Sequence, residues 1–237
     1  MSYNFKKDYQ DDIEIRILNA TPWQDIRKAA LNTIGKRELA NKKELTPELL
    51  KKYLISEHSP IRAVTLEITF KGMYSPTSVH FCRHVHSIPF VTTSREDRTG
   101  KERGLDTPVD HMAQWNLQAL IDMMRKRLCV GSCSRDTYNW ALSLKLKLMK
   151  SEDEYLKTIG EILVPNCIYR GGCPEFKPCK HWQLGLTYSP IGQKEYRASC
   201  ISERYEIYNK KILSCIIDKV YYQGWEKDDE RRVRKNI

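Results

Sequence analysis

The residue types best suited to chemistry are concentrated between His80 and Arg98. This run reads His80-Phe81-Cys82-Arg83-His84-Val85-His86, then a short apolar middle at Ile88-Pro89-Phe90-Val91, then Thr92-Thr93-Ser94-Arg95. Guanidinium groups bind phosphate and carboxylate through a planar fork, and hydroxyls can orient a small polar ring. The combination reads as the lining of an anion-binding site, with a nucleotide as the expected ligand; the other reading is a solvated basic loop. A second group of chemically capable residues is Cys167, Cys173, Cys179 and His181, three cysteines at intervals of six with a histidine two further on. Thiolate and imidazole are the ligands that tetrahedral zinc prefers, and the intervening Gly and Pro residues let a loop fold around an ion. No tight Cys-x-x-Cys pair occurs, so a structural zinc and buried thiols both stand as readings of this segment. Cys129 and Cys133, flanking Gly131, read as packing residues.

The chain of 237 residues is 41% hydrophobic and 30% charged, ordinary values for a globular protein. No window approaches the roughly 18 apolar residues that span a bilayer, and Met1-Ser2-Tyr3-Asn4-Phe5-Lys6-Lys7-Asp8 lacks the apolar core of a signal peptide. No membrane partner and a cytoplasmic location are therefore expected. The net charge of +10 calls for an anionic partner, without distinguishing a polynucleotide from a mononucleotide. Eight cysteines without a secretory leader point to thiols, a metal site or small buried residues in preference to disulfides.

The elements that must position these residues follow from periodicity. Ile13 to Leu18 alternates as a half-buried strand. Thr21-Pro22 and Thr46-Pro47 each open a helix, the first running to about Ile34 and the second to about Ser56. Ile61 to Phe70 reads as a strand, with Val64, Leu66, Ile68 and Phe70 on one face. Ser75-Pro76-Thr77 starts a short helix carrying Val79, Phe81 and Cys82, with Arg83 and His84 at its end and a polar loop after it. From Pro108 to Lys150 the pattern reads as helical, with Met112, Trp115, Leu120, Met123, Met124 and Leu128 as a buried stripe, then Trp140, Leu144 and Leu148 at four-residue spacing. Further helices are expected over about Asp153 to Leu163 and about Lys194 to Tyr222. No internal repeat or linker appears, so the expectation is one α+β domain over 1–237: a core at about 13–150, a Cys-rich loop at 165–182 and a C-terminal helix at 194–222.

Arg83-His84-Val85, seven residues, Thr93 and then Arg95 resembles the signature of flavin-dependent thymidylate synthases, the ThyX family. That signature is Arg-His-Arg, seven residues, Ser, and a following arginine. Three further segments stand in the family's order: Arg27-Lys28-Ala29-Ala30 in the first helix, His58-Ser59-Pro60-Ile61 before the strand, and Trp115-Asn116-Leu117-Gln118-Ala119-Leu120 with Arg127 eleven residues after Asn116. The resemblance implies a ThyX-like fold, a central antiparallel or mixed sheet flanked by helices, assembled as a homotetramer with FAD at subunit contacts. It implies reductive methylation of dUMP at C5, with methylenetetrahydrofolate and NADPH as co-substrates.

Carried over by position, the resemblance makes Arg127, Thr93 and Ser94 the catalytic candidates. His80, Arg83, Thr93, Ser94, Arg95, Arg103 and Arg127 would bind the nucleotide. Arg83, His84, Val85, Asn116, Gln118, Asp122 and His58 would stand on the flavin side. Arg127 matches the arginine that stabilises the ionised N3 side of the uracil, and a fixed guanidinium beside that charge lowers the barrier at C5. The departures fall mostly on the flavin side: Val85 replaces an arginine, Ala63 stands where a flavin-binding histidine is expected, Gln118 replaces an arginine, and Val91 replaces an acidic residue. Another C5-modified deoxypyrimidine product, or a binding module without catalysis that contacts nucleotides or nucleic acid, would accommodate these changes. On charge alone, Arg125-Lys126-Arg127 would be a solvated helix face, Asn116 an ordinary surface residue, and His86 a cap or a partner of Glu96 or Asp97.

Overall fold

Alternation of apolar and polar residues builds a four-stranded antiparallel sheet. The computed structural model describes residues 8–93, 95–100, 102, 104, 107–129, 131–176 and 201–218. Strands Ile13–Ile17 (β1), Thr65–Tyr74 (β2), Ser87–Val91 (β3) and Pro108–Asn116 (β4) lie in the order β1-β2-β4-β3. Ile13 faces Phe70, Ile68 faces Ala113, and Phe90 faces Met112. Leu66, Ile68 and Phe70 of β2 and Val109, His111, Ala113 and Trp115 of β4 are buried on the same face. A bulge between Phe70 and Met73 turns at Gly72, whose φ of +68° favours glycine and whose N–H donates to the Asp110 carboxylate at 2.9 Å.

Three expectations are corrected here. The 108–116 segment is a strand, because its buried residues recur every second position; Met112 and Trp115, three apart, also satisfy a helical period and mask the alternation. Ser59–Ala63 is a 3-10 turn, with Pro60 in its first turn, and the strand runs later, from Thr65 to Tyr74. The segment after Arg83 was expected as a loop; it forms edge strand β3, where Pro89 withholds an N–H that an edge does not need.

Helices Pro22–Asn32 (α1), Pro47–Ile55 (α2) and Ser75–Cys82 (α3) begin where the Thr-Pro and Ser-Pro signals place them. The Thr46 hydroxyl accepts from Leu49 N–H as an N-cap should. A single turn follows at Glu96–Thr99 (α4). Leu117–Arg127 (α5) continues straight from β4, with the Asn116 side chain accepting from Ala119 N–H at the junction. Arg135–Met149 (α6), Glu154–Ile162 (α7), Asn166–Arg170 (α8) and Ile201–Asp218 (α9) complete the described chain. Of the long C-terminal helix expected over 194–222, the ends lie outside the described residues.

One buried cluster extends from Tyr9 to Ile212 and joins the sheet to α5, α6 and α7. The α6–α7 contact is close: a Cβ on Gly160 would lie 2.7 Å from the Met149 nitrogen and 2.9 Å from the Leu148 Cβ. Lys145 is wholly buried there, its Nζ donating at 2.8 Å to the Gly160 carbonyl and at 2.8 Å to Asn209 Oδ1 of α9. No described helix is long and apolar enough to cross a membrane.

Candidate functional site

Arg127 stands at the last turn of α5 and is 8% exposed, so it is not the solvated helix-face residue that its charged neighbours suggest. Its Nε donates to His84 Nε2 at 3.0 Å, and its Nη1 lies 3.4 Å from His80 Nδ1. His80 lies in the last turn of α3, and His84 follows the helix's C-cap Arg83. His84 is fixed in turn by the α3–β3 turn, where the Ser87 N–H and hydroxyl both donate to its carbonyl, at 3.0 and 2.6 Å. The Cys133 thiol donates to the Arg127 and Cys129 carbonyls at 3.3 and 3.1 Å, holding the end of α5. The packing role expected of Cys133 thus includes a tie to the arginine.

The electrostatics are one-sided. Burial pushes the His84 imidazole down to about 4, and the Arg127 charge adds to that. Burial, Arg127 and Arg83 together lower His80. Arg127 itself is lowered by burial and by the Arg83 charge, against an opposing pull from Cys133. Arg83, exposed at the C-terminal end of α3, therefore shares a field with Arg127. Among the described residues no carboxylate forms an ion pair with Arg127. An uncompensated buried cation costs several kcal/mol by general estimates. Two guanidinium groups beside two neutral imidazoles make a site that favours an anion.

Among the described residues, no hydrogen bond or ion pair joins Thr93 or Arg95 to this cluster. Thr93 follows β3, and its hydroxyl accepts from Arg95 N–H at 3.2 Å. Arg95 is exposed and forks onto Asp97, at 3.0 and 2.6 Å. That pair gives Asp97 a partner other than His86. Ser94 and Arg103 lie outside the described residues.

Of the residues expected on the flavin side, Gln118 and Asp122 bond to each other, and the rest stand in other surroundings. Asn116 caps α5, its Oδ1 accepting from Ala119 N–H at 2.9 Å, so its amide oxygen is committed to the helix start. Gln118 Nε2 donates to Glu57 Oε2 at 2.7 Å and to Asp122 Oδ1 at 3.3 Å. Arg125 donates to Glu57 Oε1 at 2.5 Å and to Asp122 Oδ1 at 3.3 Å, and its guanidinium lies 3.6 Å above the Tyr169 ring. Burial opposes the Glu57 charge, but hydrogen bonds from Arg125, Tyr169 and Gln118 hold its carboxyl below the usual range. Glu57 reaches this position with a φ of +51°, a strained backbone for a non-glycine residue. His58 packs edge-on against Tyr53, and Val85 is 86% exposed. Gln118, Asp122 and Asn116 thus each make a hydrogen bond within the chain. Glu57, Arg125 and Tyr169 escape sequence reading, since the acid and base are 68 positions apart and share no local pattern.

A further polar group also carries no sequence signal. His111 of β4 is fully buried, its Nδ1 2.9 Å from Ser78 Oγ and 4.0 Å from Cys82 Sγ, and burial pushes it down to about 4. Of the expected metal ligands, Cys167 lies in α8 and Cys173 follows it, while Cys179 and His181 lie outside the described residues. Among the described residues no three His, Cys, Asp or Glu side chains gather as a metal would need.

No protein-family model matches the chain, and no curated protein matches it in sequence. Among solved structures it is similar to the UMP/dUMP methylase PolB from Streptomyces cacaoi bound with 5-Br dUMP. The identity is 13%, the match covers 62% of this chain and 94% of that one, and the TM-score is 0.46. It is similar also to the same methylase bound with 5-Br UMP, at 12% identity, 64% and 95% coverage and a TM-score of 0.43. At these values the likeness is one of chain path over part of the protein, and the reading of the site rests on its side chains.

Proposed function

We propose that the chain is a C5-modifying pyrimidine-nucleotide enzyme of the flavin-dependent thymidylate synthase type, acting on dUMP. The observation that carries the reading is Arg127, a buried guanidinium with neutral imidazoles for neighbours. Charge held there without a carboxylate is available to an anion, and a uracil ring losing its N3 proton becomes one. A cation fixed beside that ring builds electron density at C5 and needs no proton transfer of its own. Arg83, exposed next to it, is placed to take the phosphate. In this reading methylenetetrahydrofolate supplies the one-carbon unit, and FAD reduced by NADPH supplies hydride.

Because Thr93 and Arg95 do not join Arg127 within one chain, the reading assigns them, with Ser94, to the site of a neighbouring copy in a homotetramer. The apolar end of the open sheet face supports self-association: Ile88 and Phe90 are exposed there, next to Gln114 and Met112 across the strand pair. Pro89 disfavours strand-to-strand addition at that edge, so packing through side chains is the expected contact.

The test is incubation of the full chain with dUMP, methylenetetrahydrofolate, FAD and NADPH, followed by mass spectrometry of the nucleotide. A methyl group added to dUMP supports the reading, and a hydroxymethyl group assigns the variant product. Unchanged dUMP from a protein that also binds no flavin overturns it.

A further inference from the structure

We propose that His84 is a positioning residue for Arg127, in place of the flavin contact that its motif position implies. The inference rests on the proposed nucleotide reading and assigns the pair its role within it. A guanidinium offers five N–H donors in a rigid plane. Here His84 Nε2 takes the Nε–H at 3.0 Å, and His80 Nδ1 stands 3.4 Å from Nη1 on a second side. Among the described residues nothing bonds Nη2, so the edge it shares with Nη1 has donors left for a ligand. That edge matches a planar anion with two neighbouring acceptors, which an ionised imide provides.

A carboxylate in the place of His84 would hold the same geometry but cancel the charge the site needs. A neutral imidazole orients without cancelling. The hydrogen bonds require opposite tautomers, with the proton on Nδ1 in His84 and on Nε2 in His80. The half-buried setting keeps His84 neutral at physiological pH. The double anchor of its carbonyl by Ser87 explains how the ring stays in register with α5.

The test is a double-substitution cycle on the full chain, read by dUMP and FAD titrations. His84→Leu should weaken dUMP binding about tenfold, the scale of one lost hydrogen bond to a charged group, with FAD affinity unchanged. His84→Gln, which restores an acceptor, should recover most of that loss. In an Arg127→Ala background His84→Leu should add nothing. A loss of FAD affinity with dUMP binding intact, or equal losses in both backgrounds, overturns the proposal. Ring-nitrogen NMR of the ligand-free protein separates this outcome from failure of the nucleotide reading. If dUMP does not bind at all, His84 should still show a bare Nε2 at neutral pH and titrate at higher pH in Arg127→Ala. An unchanged His84 titration in that variant overturns the positioning role by itself.

Discussion

Gln118 and Arg127, nine positions apart on α5, project from opposite sides of that helix, since nine residues make two and a half turns. Arg127 meets His80 of α3 and His84 just after it, whereas Gln118 meets Glu57 and, through Arg125, Tyr169. One helix thus separates a cationic cluster from a second polar network. Of the departures from the ThyX pattern, Gln118 falls on the side of this network.

This second network should behave as a clasp for the segment carrying α8. Glu57→Asn keeps a residue that tolerates the φ of +51° while removing the carboxylate's reach to Arg125. Leaving a half-buried guanidinium without its partner should lower Tm by roughly 5 °C. Limited proteolysis should cut faster around Arg170, while dUMP affinity changes less than about threefold. Calorimetry, mapped proteolysis and a dUMP titration read all three.

Acid should destabilise the fold in a defined window. His84 and His111 both have folded values of about 4, below the ordinary imidazole value of 6.5, so the native state binds fewer protons than the unfolded chain between these limits. Stability should therefore rise with pH from about 4 to 6.5 and fall on the way down. Denaturant midpoints across this range should show the slope, and His111→Gln should flatten part of it.

Lys145 should add a second slope at alkaline pH. Burial pushes its amine down to about 7 from 10.5, with Glu161 opposing the shift, so the folded state prefers the neutral form. Proton uptake by the unfolded chain favours unfolding, and this drive weakens as pH rises, so stability should increase from pH 7 to 9. Above that range the half-buried Cys133 thiol, raised to about 12 by burial and by Cys129, works in the opposite sense. In Lys145→Met the rise between pH 7 and 9 should disappear in thermal scans.

Gly160→Ala should be the most damaging single methyl on the α6–α7 contact. The added carbon would meet the Met149 backbone nitrogen at 2.7 Å, and backbone cannot swing aside as a flexible side chain would. Overpacking of this kind costs about 1–3 kcal/mol. A control at Gly104, where nothing lies within 4 Å, should leave the urea midpoint in place.

Some of this was legible in the residues alone. The alternation Val64, Leu66, Ile68, Phe70 marks the central strand, and the Thr-Pro and Ser-Pro openings mark three helices, because these signals are local. β4 was not legible as a strand, since its inward positions include a buried histidine, and buried polar residues erase apolar periodicity. β3 was hidden by Pro89 and by side chains that stay exposed at a sheet edge. The spacing from Asn116 to Arg127 singled out the arginine, but its burial is a tertiary fact: α3 covers it, and nothing in Arg125-Lys126-Arg127 distinguishes the buried member. The same limit applies to Glu57, whose partner is set by packing alone.

The most direct measurement is a calorimetric titration of dUMP into the wild-type chain, Arg127→Lys and Arg127→Leu. Saturable binding in the wild type, weakened about tenfold by lysine, which keeps charge but loses the fork, and roughly a hundredfold by leucine, is the expected result. Equal affinities for all three proteins would contradict the assignment of Arg127 to the nucleotide.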